Sequence, residues 1–115
     1  MAVTKRQIES ITVIAARGRF YGDTETDELE AAIMGEAANG NMRLVVNLAE
    51  CEAMNSVALG VLMRGMANYR TRHAEIKLCG LGKKLKDLFV MTKLIMVFDH
   101  FETEELALAS FAHGE

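Results

Sequence analysis

The chain has 115 residues, of which 50% are hydrophobic and 25% charged, and a formal net charge of −3. That length suits one domain, residues 1–115, with a single core. Lys and Arg are dispersed with no basic block, which argues against direct nucleic-acid binding. No apolar run approaches the roughly 20 residues that cross a bilayer, so no membrane insertion is expected.

Strand and helix patterns alternate along the chain. The start, "MAVTKRQIES", lacks the apolar core of a signal peptide, so a soluble, cytoplasmic protein is expected. A strand before residue 9 would pair antiparallel with the next one. "SITVIAARGRF" predicts that next strand, with Ile11, Val13 and Ala15 on one parity and Ile14 on the other. Gly18 and Gly22 bracket a predicted turn. "DTETDELEAAIMGEAANG" predicts a helix. Its first turns are acidic, Leu29 and Ile33 sit four apart, and Asn39-Gly40 is a stop. "MRLVVNLAE" predicts a strand covered on one or both faces. From Ser56 on, Leu59, Leu62, Met63, Met66 and Tyr69 trace an inward helical stripe, with Arg64, Asn68 and Arg72 outward. Met54, Met63 and Met66 are expected in the core. "EIKLCGL" predicts a short strand, "GKKLKDLFVMTKL" a helix with Leu85, Leu88 and Phe89 inward, "IMVFDHF" a last strand and "TEELALASFA" a last helix. This order is that of an α/β fold with parallel connections.

Candidate chemistry is sparse. Cys51 and Cys79 both lie in apolar surroundings and are expected to be free buried thiols. His73, His100 and His113 match no metal spacing, so no metal or other cofactor is expected. "GLGKK", Gly80 to Lys84, lacks the spacing and the hydroxyl of a phosphate loop and is better explained as a strand-to-helix junction. No Ser–His–Asp order stands out. No catalytic activity is expected.

One stretch raises a sharper question. In "CEAMNSVALGVLM", Asn55-Ser56 separates an apolar strand from a helix. Ser56 is either an N-cap, its oxygen accepting a backbone N–H, or a group that takes part in chemistry. The stretch "LVVNLAECEAMNSVALGVLM" resembles the signature of STAS domains, the family of bacterial anti-sigma factor antagonists. That signature presents Asp-Ser-Ser/Thr-Gly-Leu-Gly at the head of a helix, matched here by Asn55, Ser56, Val57, Ala58, Leu59 and Gly60. "EIKLCGLGKKLKDLFVMTKLIMVFDHFETEELALASF" is similar to the family's second half, so the resemblance covers nearly the whole chain.

The resemblance implies a mixed sheet of four to five strands with about four helices mainly on one face. It also implies a switch. An anti-sigma factor that is also a serine kinase would bind the Asn55–Arg64 region and phosphorylate Ser56, and a serine phosphatase would reset it. The partner-binding residues would be Asn55, Ser56, Val57, Arg64 and Asn68. A phosphate there would face the helix's positive end and leave the fold intact while adding charge to the partner surface. The chain departs from the family at four positions. Asn55 replaces the Asp and loses its charge, Val57 replaces a second hydroxyl, and Ala58 replaces a glycine. Lys93 stands where a glycine is usual, which removes the customary left-handed residue at a helix end. The alternative reading is a non-phosphorylated protein-binding module, either a signalling scaffold or an accessory subunit of a membrane transport complex.

Overall fold

The computed structural model describes residues 2–113, with side chains through Phe111; the His113 side chain lies outside the described residues. Five strands and four α-helices alternate after an opening hairpin. They are β1 (Val3–Ile8), β2 (Ile11–Phe20), α1 (Thr24–Ala38), β3 (Arg43–Met54), α2 (Ser56–Thr71), β4 (Glu75–Cys79), α3 (Lys83–Met91), β5 (Asp99–Phe101) and α4 (Glu104–His113). The sheet order is β1-β2-β3-β4-β5. β1 is antiparallel to β2 and every other pair is parallel. This is the mixed α/β sheet expected with four to five strands, and the further strand before residue 9 makes it five.

The sequential order fixes where the helices go. Right-handed crossovers between neighbouring parallel strands, all stepping the same way, put each connecting helix on the same face. α1, α2 and α3 therefore bury one large core, built on Ile14, Phe20, Leu29, Ile33, Leu44, Val46, Leu62, Leu78 and Phe89. α4 has no following strand to connect. It folds over the other face, where Ala107 and Phe111 close a smaller cluster with Ile11, Val13, Val45 and Cys79. Strand β2 is consequently buried on both faces from Ile11 to Ile14, and its short apolar run follows from that. The two main-face helices α1 and α2 approach closely at Gly65. A Cβ there would sit 2.8 Å from Cγ2 of the fully buried Ile33.

A polar cluster closes the end of the sheet opposite Ser56. Glu36, 3% exposed, accepts from Lys5 (2.8 Å), from the Thr12 hydroxyl (2.9 Å) and from Asn41. Burial alone would raise its carboxyl, but these hydrogen bonds and the Lys5 charge outweigh burial and hold it below the usual carboxylate range.

Four local expectations are corrected. Gly18 does not flank a turn; it lies inside β2 with φ +98°, where the β2–β3 register slips. "IMVFDHF" is not one strand. Leu94–Met96 form a 3-10 turn and only Asp99–Phe101 pair with β4. Leu94 and Phe98, four apart, are buried and linked by a Phe98 N–H to Leu94 carbonyl bond of 3.2 Å. An apolar run with that spacing satisfies a turn as well as a strand. Lys93 does not deprive α3 of a left-handed residue, because it adopts that conformation itself at φ 65°. Met63 is not core; it is 45% exposed, whereas Met54 is 6% exposed and Met66 is half-buried.

Candidate functional site at the head of α2

β2 and β3 outrun their neighbours. β1 pairs with β2 only as far as Ala16, and β4 pairs with β3 only as far as Asn47. The Arg17 N–H still reaches the Ala2 carbonyl at 2.7 Å, and beyond it Gly18–Phe20 and Glu50–Met54 pair only with each other, as a two-stranded ribbon. Two register shifts each place an extra residue in β3, which bends the ribbon and turns Cys51 and Met54 into the main core. On the outer face Arg17 pairs with Glu50 (2.8 Å) and Arg19 with Glu52 (3.2 Å). These pairs are well exposed and contribute little to stability. The tip of this ribbon carries Asn55 and Ser56.

The structure bears on one of the two roles open to Ser56, that of the cap. Asn55, not Ser56, is the N-cap. Its Oδ1 accepts from the backbone N–H groups of Val57 (3.1 Å) and Ala58 (3.2 Å), and its carbonyl accepts from Leu59 N–H (3.0 Å). Its Nδ2 donates to the Tyr21 carbonyl at 2.8 Å, and its N–H donates to the Phe20 carbonyl at 3.1 Å. The amide thus works in both directions, capping α2 and tying it to the segment between β2 and α1. Ser56 is the first helical residue and is exposed, and its hydroxyl has no hydrogen-bond partner among the described residues. The first turn of α2 holds no acidic side chain, so nothing in the helix itself offsets its positive end.

Around this point the surface is mixed. Tyr21 and Val57 are 51% and 52% exposed. Gly22, at φ +91°, passes so close to Val57 that a Cβ would lie 3.2 Å from the Val57 Cβ. A side chain at 22 would be strained by its backbone angle and would press on Val57 as well. Helical geometry sorts the predicted partner residues into two stripes. Val57, Arg64 and Asn68, spaced at i, i+7 and i+11, share one face. Ser56 shares another with Gly60, Met63 and Ala67, which run exposed or half-exposed beneath it. Asn68 lies about 18 Å along the axis from Ser56. Its amide oxygen accepts from Arg72, at 3.3 Å. Arg64 reaches across to α1, with a 2.8 Å ion pair to Glu30. Sequence reasoning missed Tyr21 and the Gly60–Met63–Ala67 strip; the i, i+4, i+7 spacing from Ser56 was the signal available for the strip.

The remaining candidates stay apart from this point. No group of three or more His, Cys, Asp or Glu side chains that could hold a metal exists among the described residues. The two cysteines are free and buried. Burial pushes both thiols up to about 11, assisted by the Glu104 charge at Cys79 and by the Glu52 charge at Cys51, so neither is a ready thiolate nucleophile. "GLGKK" is a junction: Gly82 is the N-cap of α3. Among the described residues no helix is long and apolar enough to cross a membrane.

The chain matches the model of the STAS domain over residues 2–107. It belongs to the STAS-domain family. A curated relative named as an anti-sigma factor antagonist, BtrV of Bordetella bronchiseptica, is 22% identical over 111 residues, covering 96% of this chain and 95% of its own length. Among solved structures, an anti-sigma factor antagonist (STAS) domain protein from Planctomyces limnophilus superposes with a TM-score of 0.83 at 19% identity, covering 96% of this chain and 97% of its own. The Bacillus protein SpoIIAA in its phosphorylated form gives 0.75 at 17% identity, covering 96% and 99%. At these identities the likeness to solved structures is one of fold.

Proposed function

We propose that this STAS domain is an anti-sigma factor antagonist. It binds a kinase-type anti-sigma factor through the head of α2 and is released when that partner phosphorylates Ser56. The observation that carries the reading is the division of labour at positions 55 and 56. Asn55 performs the capping, so the Ser56 hydroxyl is exposed, uncommitted and set at a helix N-terminus whose first turn carries no acidic residue. A phosphate on that oxygen would sit beside the positive helix end, which suits about two negative charges without unfolding. The same charges would fall on the surface of Tyr21, Val57 and Met63, where an apolar contact with a partner would be broken. The relative named as an antagonist covers nearly the whole chain, and the phosphorylated SpoIIAA has the same fold. Both support the reading.

The reaction would need nothing from this chain beyond the acceptor. The Ser56 oxygen attacks the γ-phosphorus of ATP held by the partner, its proton passes to a base on the partner, and ADP leaves. The test is incubation of the protein with a candidate anti-sigma kinase and Mg-ATP, followed by mapping of phosphate by mass spectrometry. Phosphate on Ser56, loss of the complex on phosphorylation, and a Ser56→Asp variant that folds but binds weakly are the expected results. Phosphate at another residue, or Ser56→Asp binding as tightly as the parent, would refute it.

One observation favours a second reading. The residue before Ser56 is an amide engaged on both sides, so no carboxylate stands next to the hydroxyl. If the complex forms and no phosphate appears, the protein is a binding module that is never phosphorylated, a scaffold or a transporter accessory subunit.

A further inference from the structure

β1 is an open edge of the sheet: no strand lies beyond it among the described residues. Its register with β2 is regular, and the Arg17 N–H donates to the Ala2 carbonyl. Alternation then turns the backbone groups of Thr4, Arg6 and Ile8 toward β2 and those of Val3, Lys5 and Gln7 outward. The other edge, β5, is three residues long, and a short strand is one way to blunt an edge. β1 has six residues and no bulge. Charged side chains can also guard an edge, but here they are folded away. Lys5 donates to Glu36 on α1 at 2.8 Å, and Arg6 pairs with Glu104 on α4. Beside the edge, Val3 and Lys5 of β1 and Glu28, Ala31 and Gly35 of α1 line a groove. Gly35 is exposed, and a Cβ there would meet nothing within 4 Å. Oε1 of Glu28 is buried without a hydrogen-bond partner among the described residues.

We propose that β1 pairs with β1 of a second copy of this chain, antiparallel across a two-fold axis, to form a dimer with one continuous sheet. A two-fold strand pair sets one residue opposite itself, and charge selects which. Lys5 or Arg6 on the axis would bring like charges together. Thr4 on the axis sets two hydroxyls together and places Val3 opposite Lys5 of the second copy, which satisfies the outward N–H and C=O groups of both. Lys5 of the second copy then lies beside the groove that Val3 and Glu28 line, and it supplies the donor that Glu28 Oε1 lacks. The helices fit the same axis. α1 packs over both β1 and β2. At a strand spacing of about 4.8 Å, the two copies of α1 run about 10 Å apart, an ordinary helix packing distance. That approach needs small residues between them, and Ala31 and Gly35 are small. Because β1 runs antiparallel in the pair, the two Ser56 heads stay open at opposite ends. The dimer goes beyond the antagonist reading and does not depend on it; it makes the assembly bivalent for whatever engages Ser56.

Sedimentation velocity over a concentration series reads the mass, and residue-resolved amide hydrogen exchange reads the edge. The expected result is a dimer at high concentration, with the Val3 and Lys5 amides protected there and exchanging freely on dilution, while the Arg6 amide is protected in both states. Two variants test the axis. Thr4→Lys sets like charges opposite each other. Gly35→Gln fills the space between the helices and improves helix propensity in the single chain. Both positions are exposed, and thermal melts at low concentration confirm that the fold is kept. Each variant is expected to raise the Kd of the dimer about tenfold. A single-chain mass at millimolar concentration would overturn the proposal. So would a dimer whose Val3 and Lys5 amides stay unprotected, or one that neither variant weakens. A parent that stays monomeric, with those amides protected only when an anti-sigma factor is added, would overturn it in favour of a strand supplied by that protein.

Discussion

Replacing Asn55 with Asp would restore the family's residue, and the structure says that the fold would pay for it. As a cap Asp equals Asn, and its charge adds about 0.3–1 kcal/mol at a helix N-terminus. The other half of the amide is the problem. Nδ2 donates to the Tyr21 carbonyl at 2.8 Å; a carboxylate oxygen placed there would be repelled by that carbonyl and would leave it without its donor. The bond is exposed, so water can replace the lost donor, and its loss together with the carboxylate–carbonyl repulsion costs about 0.5–1.5 kcal/mol. The net is a loss of about 0.5 kcal/mol, or a Tm lower by about 2 °C for a domain of this size. Thermal unfolding followed by circular dichroism at neutral pH measures it. At a pH low enough to protonate the new carboxyl, its O–H can donate to Tyr21, so the deficit relative to the parent should shrink. If Asn55→Asp melts at or above the parent temperature at neutral pH, the bridging role of the amide is wrong. Phosphorylation is a separate readout: a faster reaction on the Asp variant, despite its lower Tm, would show that a carboxylate before Ser56 assists the kinase.

Ser56→Ala should leave stability within about 0.5 kcal/mol of the parent, because Asn55 does the capping and the serine is exposed; chemical denaturation checks this, and a loss near 1 kcal/mol would return the cap to Ser56. Gly65→Ala gains helix propensity but drives a methyl into the stiff Cγ2 branch of Ile33, so a net loss of about 1–2 kcal/mol is expected in urea unfolding. Lys93→Gly relieves a side chain held at φ 65° and should stabilise by about 1 kcal/mol, read as a higher Tm. The Glu36 carboxyl is held below its usual range in the folded state, so the stability it contributes is present above the unfolded-state pKa and is lost as pH falls through the folded-state value. Glu36→Gln should therefore lower stability at neutral pH and flatten the acid limb of a stability–pH curve.

The alternation of strand and helix, the opening antiparallel strand and the inward residues Leu29, Ile33, Leu59, Leu62 and Phe89 were legible in the sequence because periodicity reports burial directly. The last residues of β3 were not. Glu50 and Glu52 break the apolar run, and the bulges that let the strand continue depend on β2, a distant segment. "IMVFDHF" failed for the opposite reason, since four apolar residues in a row satisfy a turn buried at Leu94 and Phe98 as readily as a strand. At the candidate site the position was legible and the roles were not. Asn and Ser are equally good caps by type. Which of them caps depends on where the ribbon ends and on the Tyr21 carbonyl, neither of which a local pattern contains.

The ribbon that carries Asn55 has a thermodynamic consequence. Each strand in the centre of the sheet is held by neighbours on both sides, whereas beyond Arg17 and Asn47 each has one. Opening this end breaks a single backbone ladder but also withdraws Phe20, Cys51 and Met54 from the main core. The backbone that presents Ser56 is therefore held in place by side-chain burial more than by backbone pairing, so a core truncation at Phe20 or Met54 would lower its local opening free energy first.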